Sequence, residues 1–375
     1  MYKRTLNLAA LLNESNYFLF GPRSTGKTSL IAKQLPHASM INLLDADIYE
    51  ALERKPSSLK DFIQTKIVVI DEVQKLPKIL DTVHQLIEKN NLRFLLTGSS
   101  ARKLKHGGAN LLGGRAREAS LFPLTFHELG KDFDLLKYLN QGGIPRHYLS
   151  NQPFEDLKAY GRTYLAEEIK AEALVRNYDR FTRFLETMAT ANAKELIYQS
   201  ISNDSGVPVR TIEGYLEVLK DTLVGYELHP FLKSKKRKAH TRSKFYFFDC
   251  GVANYFSKRY PVSDGSSDLG ELFEQFIINE VRAYNEYLIR NQTLSFWRTR
   301  NCEVDLLVST KLAIEIKFEK NTSRESMTGL KALRDEGLFK KFMVVGRYAM
   351  ETEIDGIHFV PYTEFLKKLW TGTYF

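Results

Sequence analysis

Gly21-Pro22-Arg23-Ser24-Thr25-Gly26-Lys27-Thr28 decides the reading of this chain. It fills every fixed position of the phosphate-loop pattern G-x-x-x-x-G-K-[ST]. The apolar run Tyr17-Phe18-Leu19-Phe20 before it reads as a buried strand. Ser29-Leu30-Ile31-Ala32-Lys33-Gln34 after it reads as the start of a helix. The glycines let backbone N–H groups turn inward around a triphosphate, at the positive end of a helix dipole. The stretch Gly21 to Ser29 is therefore expected to bind ATP, with Lys27 on the β- and γ-phosphates and Thr28 on Mg²⁺.

Hydrolysis needs a second strand that carries a carboxylate to the metal. Ile67-Val68-Val69-Ile70-Asp71-Glu72 supplies one. Its β-branched run reads as a central parallel strand buried on both faces. Asp71 falls at its C-terminal end, where open α/β sheets bind ligands, and is expected on Mg²⁺ through water. Glu72 is expected as the general base for the attacking water. A third strand, Phe94-Leu95-Leu96-Thr97-Gly98-Ser99-Ser100, brings two hydroxyls, Thr97 and Ser99, to the same edge. Either one can hydrogen-bond the γ-phosphate or the water. Arg115 and Arg117 are candidates for transition-state charge stabilisation, on their own nucleotide or a neighbour's. Lys78 to Lys89 spaces Ile79, Leu80, Val83, Leu86 and Ile87 as a helix packed on the sheet.

The remaining composition narrows the class. At 375 residues with 43% apolar content, two or three domains with full cores are expected. No apolar run approaches the roughly 18–20 residues of a membrane span. Two cysteines, Cys250 and Cys302, with no export signal point to free thiols in a reducing cytosol. The net charge of +9 favours polyanionic partners.

Along the chain, residues 1–150 alternate strands and helices around the nucleotide motifs and are expected to form a parallel-sheet α/β domain. Gly142-Gly143-Ile144-Pro145 breaks the chain near its end. A helical stretch with Tyr164, Leu165, Ile169, Ala173 and Leu174 on one face follows. Residues 151–248 read as a helical linker and a winged helix. Glu195 to Ile201 is expected as a short helix, Asn203 to Pro208 as a turn, and Thr211 as the N-cap of a helix from Ile212 to Leu223. Two short strands, Tyr226 to Leu232 and Phe245 to Phe248, flank the segment Lys233 to Lys244, which carries seven Lys/Arg and no acid. Such a segment suits a DNA phosphate backbone.

Residues 249–375 form the third unit: an amphipathic helix Glu271 to Val281, then strands Leu294–Arg298, Glu303–Val308, Leu312–Phe318 and Lys341–Gly346. Asp305, Glu315 and Lys317 stand out. Glu315 and Lys317 lie two apart on a strand and share a face. Two carboxylates and a lysine on adjacent strands can bind Mg²⁺ or Mn²⁺ and activate water for phosphodiester attack, with Glu274 adding a carboxylate from the helix. The alternative reading of the same residues is a salt-bridge cluster kept for structure, without catalysis.

With these residues in place, nearly the whole chain resembles a family of prokaryotic AAA+-type ATPases. In that family a winged-helix region joins the ATPase to a C-terminal domain. The likeness is carried by Gly21–Thr28, Val69-Ile70-Asp71-Glu72-Val73-Gln74, Leu96-Thr97-Gly98-Ser99-Ser100 and Gly114-Arg115. It continues in Phe122-Pro123-Leu124-Thr125-Phe126-His127-Glu128-Leu129, Gly142-Gly143-Ile144-Pro145, Phe245-Tyr246-Phe247-Phe248-Asp249-Cys250-Gly251 and Gly270-Glu271-Leu272-Phe273-Glu274. The third unit is similar to the PD-(D/E)XK nuclease-like superfamily, with Trp297-Arg298, Glu303-Val304-Asp305 and Glu315-Ile316-Lys317 as its marks. That likeness implies Asp305, Glu315 and Lys317 as metal and catalytic residues and Glu274 as the helix carboxylate. Val304-Asp305 stands where the superfamily often has Pro-Asp. The AAA+ likeness implies a ring or smaller homo-oligomer with an arginine crossing between subunits, and Thr97 or Ser99 at the sensor position.

Two functions follow. One is an ATPase coupled to DNA binding and to metal-dependent DNA cleavage by the third unit. The other is a nucleotide-dependent switch whose third unit only docks a partner.

Overall fold

Five short strands build the first sheet, those between its edges mostly apolar: β1 (Asn16–Phe20), β2 (Ser39–Asn42), β3 (Ile67–Asp71), β4 (Arg93–Gly98) and β5 (Ala116–Ser120). The computed structural model describes residues 2–98, 111–165, 169, 175 and 177–375. The five strands are ordered β2-β3-β4-β1-β5, and every neighbouring pair is parallel. Phe18, Phe20, Ile41, Val68, Ile70, Phe94 and Leu96 bury one face against Ile79, Leu80 and Val83 of the helix Ile79–Asn90. The register pairs Phe20 with Gly98 and Asn42 with Asp71. The C-terminal ends of β1, β3 and β4 therefore share one edge of the sheet.

The chain divides into two compact units, Met1–Phe122 with Lys220–Val224, and Pro123–Leu219 with Gly225–Phe375. Leu223 packs on the apolar cluster of the first. The residues read from sequence as a second and a third domain largely share the second unit.

In that unit the helix Tyr178–Thr190 leads to β6 (Lys194–Glu195), then helices Tyr198–Ser205 and Val209–Asp221, then β7 (Gly225–Leu228) and β8 (Lys244–Phe247). The strands form an antiparallel sheet ordered β6-β8-β7. Two local expectations are corrected. Glu195 belongs to a strand, because the Ala193 and Leu196 N–H groups donate to the Phe245 and Ser243 carbonyls of β8 and its approach, and the helix begins only at Tyr198. Thr211 is not an N-cap: Pro208 sets the start, and its carbonyl accepts from the Thr211 and Ile212 N–H groups. Most of the helical stretch read around Tyr164 to Leu174 lies outside the described residues.

A six-stranded mixed sheet follows, ordered β13-β14-β12-β11-β10-β9. Its strands are β9 (Leu294–Arg298), β10 (Glu303–Val308), β11 (Leu312–Ile316), β12 (Lys341–Gly346), β13 (Thr352–Ile354) and β14 (Ile357–Pro361). Met327, Leu330 and Leu333 cover one face through Trp297, Val304, Leu307, Ala313 and Val344. The helix Asp268–Tyr287 is buried around most of its circumference, and its Phe273 ring meets Phe318 edge-on.

One buried clasp explains two sequence motifs. Asp249 caps the helix Cys250–Ser257 through Val252 N–H at 3.1 Å and accepts from Gly143 N–H at 2.7 Å. A Cβ on Gly142 would lie 1.9 Å from the Asp249 carboxylate, and one on Gly251 2.3 Å from the Gln141 carbonyl. Burial pushes the Asp249 carboxyl up to about 6. No described helix is long and apolar enough to cross a membrane.

Candidate nucleotide site and C-terminal carboxylate cluster

The loop leaves β1 at Gly21, where an added Cβ would meet the Leu121 carbonyl at 2.8 Å. Ser24 (φ 65°) and Gly26 (φ 97°) take left-handed backbone angles, and the helix Lys27–Gln34 starts directly after. Gly26 accounts for the second glycine of the pattern, since only glycine takes φ near 97° without strain. Lys27 lies within the loop, its ammonium donating to the Gly21 carbonyl at 2.6 Å and the Pro22 carbonyl at 3.3 Å. Thr25 closes the turn with a hydroxyl bond to the Pro22 carbonyl at 2.9 Å.

The ends of β3 and β4 converge on this loop. Thr28 Oγ1 donates to Asp71 Oδ2 at 3.5 Å, and Thr97 Oγ1 makes a short bond to Asp71 Oδ1. A hydroxyl and a buried carboxylate meeting beside the loop are the donor set that a Mg²⁺–nucleotide complex uses. Glu72 takes a left-handed angle (φ 58°), donates its N–H to Thr97 Oγ1 at 3.3 Å, and has its carboxylate bonded by Gln74 Nε2. Of the two hydroxyls open at the sequence level, Thr97 touches Asp71, while Ser99 lies outside the described residues.

The two arginines sit elsewhere. Arg115 precedes β5, its carbonyl bonded by Asn16 at the start of β1, and its guanidinium pairs with Glu88 at 2.7 Å. Arg117 pairs with Glu14 at 2.9 Å. The loop leaves the other end of β1, so Arg115 is separated from it by about 17 Å of strand at ~3.3 Å per residue.

Sequence reasoning missed Arg4. Its guanidinium donates to the Thr25 carbonyl at 2.8 Å and to the Phe122 carbonyl, bridging the loop to the end of the first unit. A lone arginine far upstream of the motif carries no pattern that would have singled it out.

In the second unit the four expected residues do come together. A bulge in the β9–β10 pairing, between Val304 and Leu307, re-aims Asp305. Its Oδ2 accepts from Ile316 N–H at 2.8 Å. Glu315 pairs with Lys317 at 2.7 Å through Oε1, while Oε2 is buried without a partner. Lys317 lies just past the end of β11. The centre of the cluster is a residue read only as one of seven loop cations. Lys244, with 3% of its side chain exposed, reaches Glu274 at 2.9 Å, Glu303 more closely still, and Asp305 at 3.8 Å. Tyr246 OH donates to Glu274 at 2.6 Å, and Arg298 closes the rim on Glu303 at 2.9 Å. Burial pushes the Glu274 carboxyl up to about 7 against the pull of Lys244. Burial, then Asp305, holds Glu315 well above the usual carboxylate range. Burial works against the Lys244 charge, yet Glu274, Asp305 and Glu303 keep its pKa above that of an ordinary lysine. Among the described residues no three carboxylate, imidazole or thiol side chains are arranged to hold a metal ion.

Comparison with known proteins agrees with the first sheet. Residues 13–130 match the family model described as an AAA domain. The N-terminal part is an AAA-type P-loop domain. Residues 132–262 and 269–365 each match a model described only as a domain of unknown function. An uncharacterized protein of Haemophilus influenzae is 25% identical over 86% of this chain and 82% of its own length. An uncharacterized protein of Mycobacterium tuberculosis is 26% identical over 77% of this chain and 66% of its own. Among solved structures, a signal-transduction ATPase with a tetratricopeptide repeat sensor from Pyrococcus horikoshii aligns over 77% of this chain and 48% of its own, at 17% identity and a TM-score of 0.24. The Aeropyrum pernix ORC1 protein in complex with DNA aligns over 67% and 90%, at 14% identity and a TM-score of 0.25. At such TM-scores the fold assignment rests on strand order and the family model alone.

Proposed function

We propose that the protein is an ATP-hydrolysing AAA-type switch that engages nucleic acid, with a C-terminal module that docks rather than cuts. The observation that carries the ATPase reading is the Thr28–Asp71–Thr97 chain of contacts beside the loop. Lys27 exchanges its loop carbonyls for phosphate oxygens. Thr28 and Asp71 would hold Mg²⁺, which would supply neutralisation of phosphate charge. Glu72, freed from Gln74, takes the proton of the attacking water, and Thr97 fixes the Asp71 carboxylate. Arg115, at the far end of the sheet and paired with Glu88, lies out of reach of its own loop, so a finger role for it requires a neighbouring subunit's nucleotide.

The helix–strand–helix–helix–strand–strand order around β6-β8-β7 supports the winged-helix reading. Its helix Val209–Asp221 exposes Glu213 and Glu217 beside Arg210, which disfavours insertion into a groove. The segment Lys233–Lys244 is the better DNA contact. Lys233, Lys235, Lys236, Lys238 and Arg242 are exposed on it. Its base is pinned by Arg237 to Asp335 and Glu336, and by Trp297 Nε1 to Ser234 at 2.7 Å. Contacts of that kind read phosphate, not sequence. For the C-terminal cluster, cleavage by Asp305, Glu315, Lys317 and Glu274 was one use and docking the other. The ammonium already among the carboxylates favours docking.

The test is Mg²⁺-dependent ATP hydrolysis with and without duplex DNA, at low and high salt, beside Lys27→Ala. DNA stimulation that fades steeply with salt supports the reading. Hydrolysis that survives Lys27→Ala, or is blind to DNA while DNA binding is blind to ATP, sinks it.

A further inference from the structure

We infer that the Lys244 ammonium is the resident cation of the C-terminal carboxylate cluster, so that this nuclease-like site takes no divalent metal. The inference rests on the docking reading and gives it a physical cause. Mg²⁺ needs several oxygen ligands at about 2.0–2.1 Å in near-octahedral array. Here most of the oxygens are already engaged. Glu274 Oε1 accepts from both Lys244 and Tyr246. Glu303 Oε1 is on Lys244 and its Oε2 on Arg298 at 2.9 Å. Asp305 Oδ2 is on the Ile316 N–H and its Oδ1 faces Lys244 at 3.8 Å. Glu315 Oε1 is on Lys317. Glu315 Oε2 is fully buried without a partner, and no three carboxylate, imidazole or thiol side chains among the described residues are arranged to hold a metal ion.

The lysine is held by its strand, and its side chain is almost wholly buried. It stands on β8, paired with Glu195 of β6 on one side and Leu228 of β7 on the other. The Phe296 ring lies 5.5 Å from its ammonium. A dication brought into the same buried space would face that ammonium at close range, where little solvent screens the repulsion. The D…E-x-K residues are therefore assembled as the superfamily likeness implies, but a strand outside the motif supplies their counter-ion. It also ends the basic segment, so the cluster anchors the root of Lys233–Lys244.

The experiment titrates nucleotide-free full-length protein with Mn²⁺, in an Asp71→Asn background that silences the P-loop metal position. Uptake is read by water-proton relaxation and Tm. Expected is no Mn²⁺ uptake and the same Tm in Mn²⁺ and in EDTA, with Lys244→Arg behaving likewise. Lys244→Ala is expected to gain one Mn²⁺ site and a Tm rise of several degrees on adding the metal. One equivalent of Mn²⁺ bound without Lys244→Ala, and lost in Asp305→Asn, overturns the inference. So does a Lys244→Ala protein that folds and gains no metal. If Lys244→Ala does not fold, the Asp305→Asn comparison decides. Plasmid incubated in the same Mn²⁺ separates the two levels: metal bound without cleavage overturns only the resident cation, whereas cleavage overturns the docking reading as well.

Discussion

Gly142→Ala tests the buried clasp at Asp249 and allows a magnitude to be worked out. Gly142 takes φ 75° and ψ −176°, a region open almost only to glycine, and an alanine held there costs about 1–3 kcal/mol. The new methyl would also lie 1.9 Å from Asp249 Oδ1 and 2.4 Å from Cγ. The carboxylate must then move away from the Gly143 and Val252 N–H groups. Losing even one such hydrogen bond to a charged group costs about 1.5–3 kcal/mol. Together the substitution should destabilise the second unit by about 3–6 kcal/mol. Gly206→Ala is the control. Its φ of 66° and ψ of 23° carry only the left-handed cost of about 1–2 kcal/mol, and no atom lies within 4 Å of its added Cβ. Both tryptophans, Trp297 and Trp370, belong to the second unit, so intrinsic fluorescence in a urea titration reports that unit. If Gly142→Ala falls within about 1 kcal/mol of Gly206→Ala, the clasp argument is wrong. A second check is coupling: with Asp249→Ala already present, Gly142→Ala should cost clearly less than alone.

Arg4→Ala frees the Thr25 carbonyl and should weaken ATP binding about tenfold, the worth of one charge-assisted hydrogen bond, with Arg4→Lys intermediate; unchanged affinity by fluorescent-nucleotide titration would discard Arg4 as a loop-positioning residue. Arg115→Ala should leave the ATPase rate of dilute protein intact and remove any rise in specific activity with protein concentration; a loss already at the lowest concentration would show action on its own nucleotide. Glu280 is buried, accepts from Phe126 N–H at 2.6 Å and Trp370 Nε1 at 2.9 Å, and is pushed up to about 8 by burial. The folded state binds its proton more tightly than the unfolded one. Its contribution is therefore full below the ordinary glutamate pKa near 4.5 and is lost as pH rises through about 8. The stability gap between wild type and Glu280→Gln should shrink from pH 5 to 8.5, and a flat gap in urea midpoints would contradict the shift.

What the sequence made legible follows periodicity and motif chemistry. β3, β4 and β12 lie where the apolar runs placed them, because a buried parallel strand needs an unbroken apolar stretch and little else. Helix boundaries were weaker around Glu195 and Thr211, where a two-residue strand and a proline outweighed side-chain pattern. The Lys27–Thr28–Asp71 constellation was legible because each member lies in a local motif of fixed geometry. Lys244 was not. Its run of lysines and arginines looks like solvated loop charge, and only tertiary packing shows that its last member is buried among acids from the helix Asp268–Tyr287 and from β10. Arg4 was invisible for the same reason, since its partners are backbone carbonyls.

The ATPase unit is not one continuous stretch: it ends at Phe122 and is rejoined by Lys220–Val224, with Leu223 on its apolar cluster. On the ribosome, about a hundred further residues must therefore be made before that unit has all its parts. At about 5–20 residues per second the delay is on the order of 5–20 s. During it the nascent P-loop sheet waits with part of its apolar cluster uncovered, and holdase chaperones have their opportunity to engage it. A gene cut after the first family match would leave the unit in that state permanently.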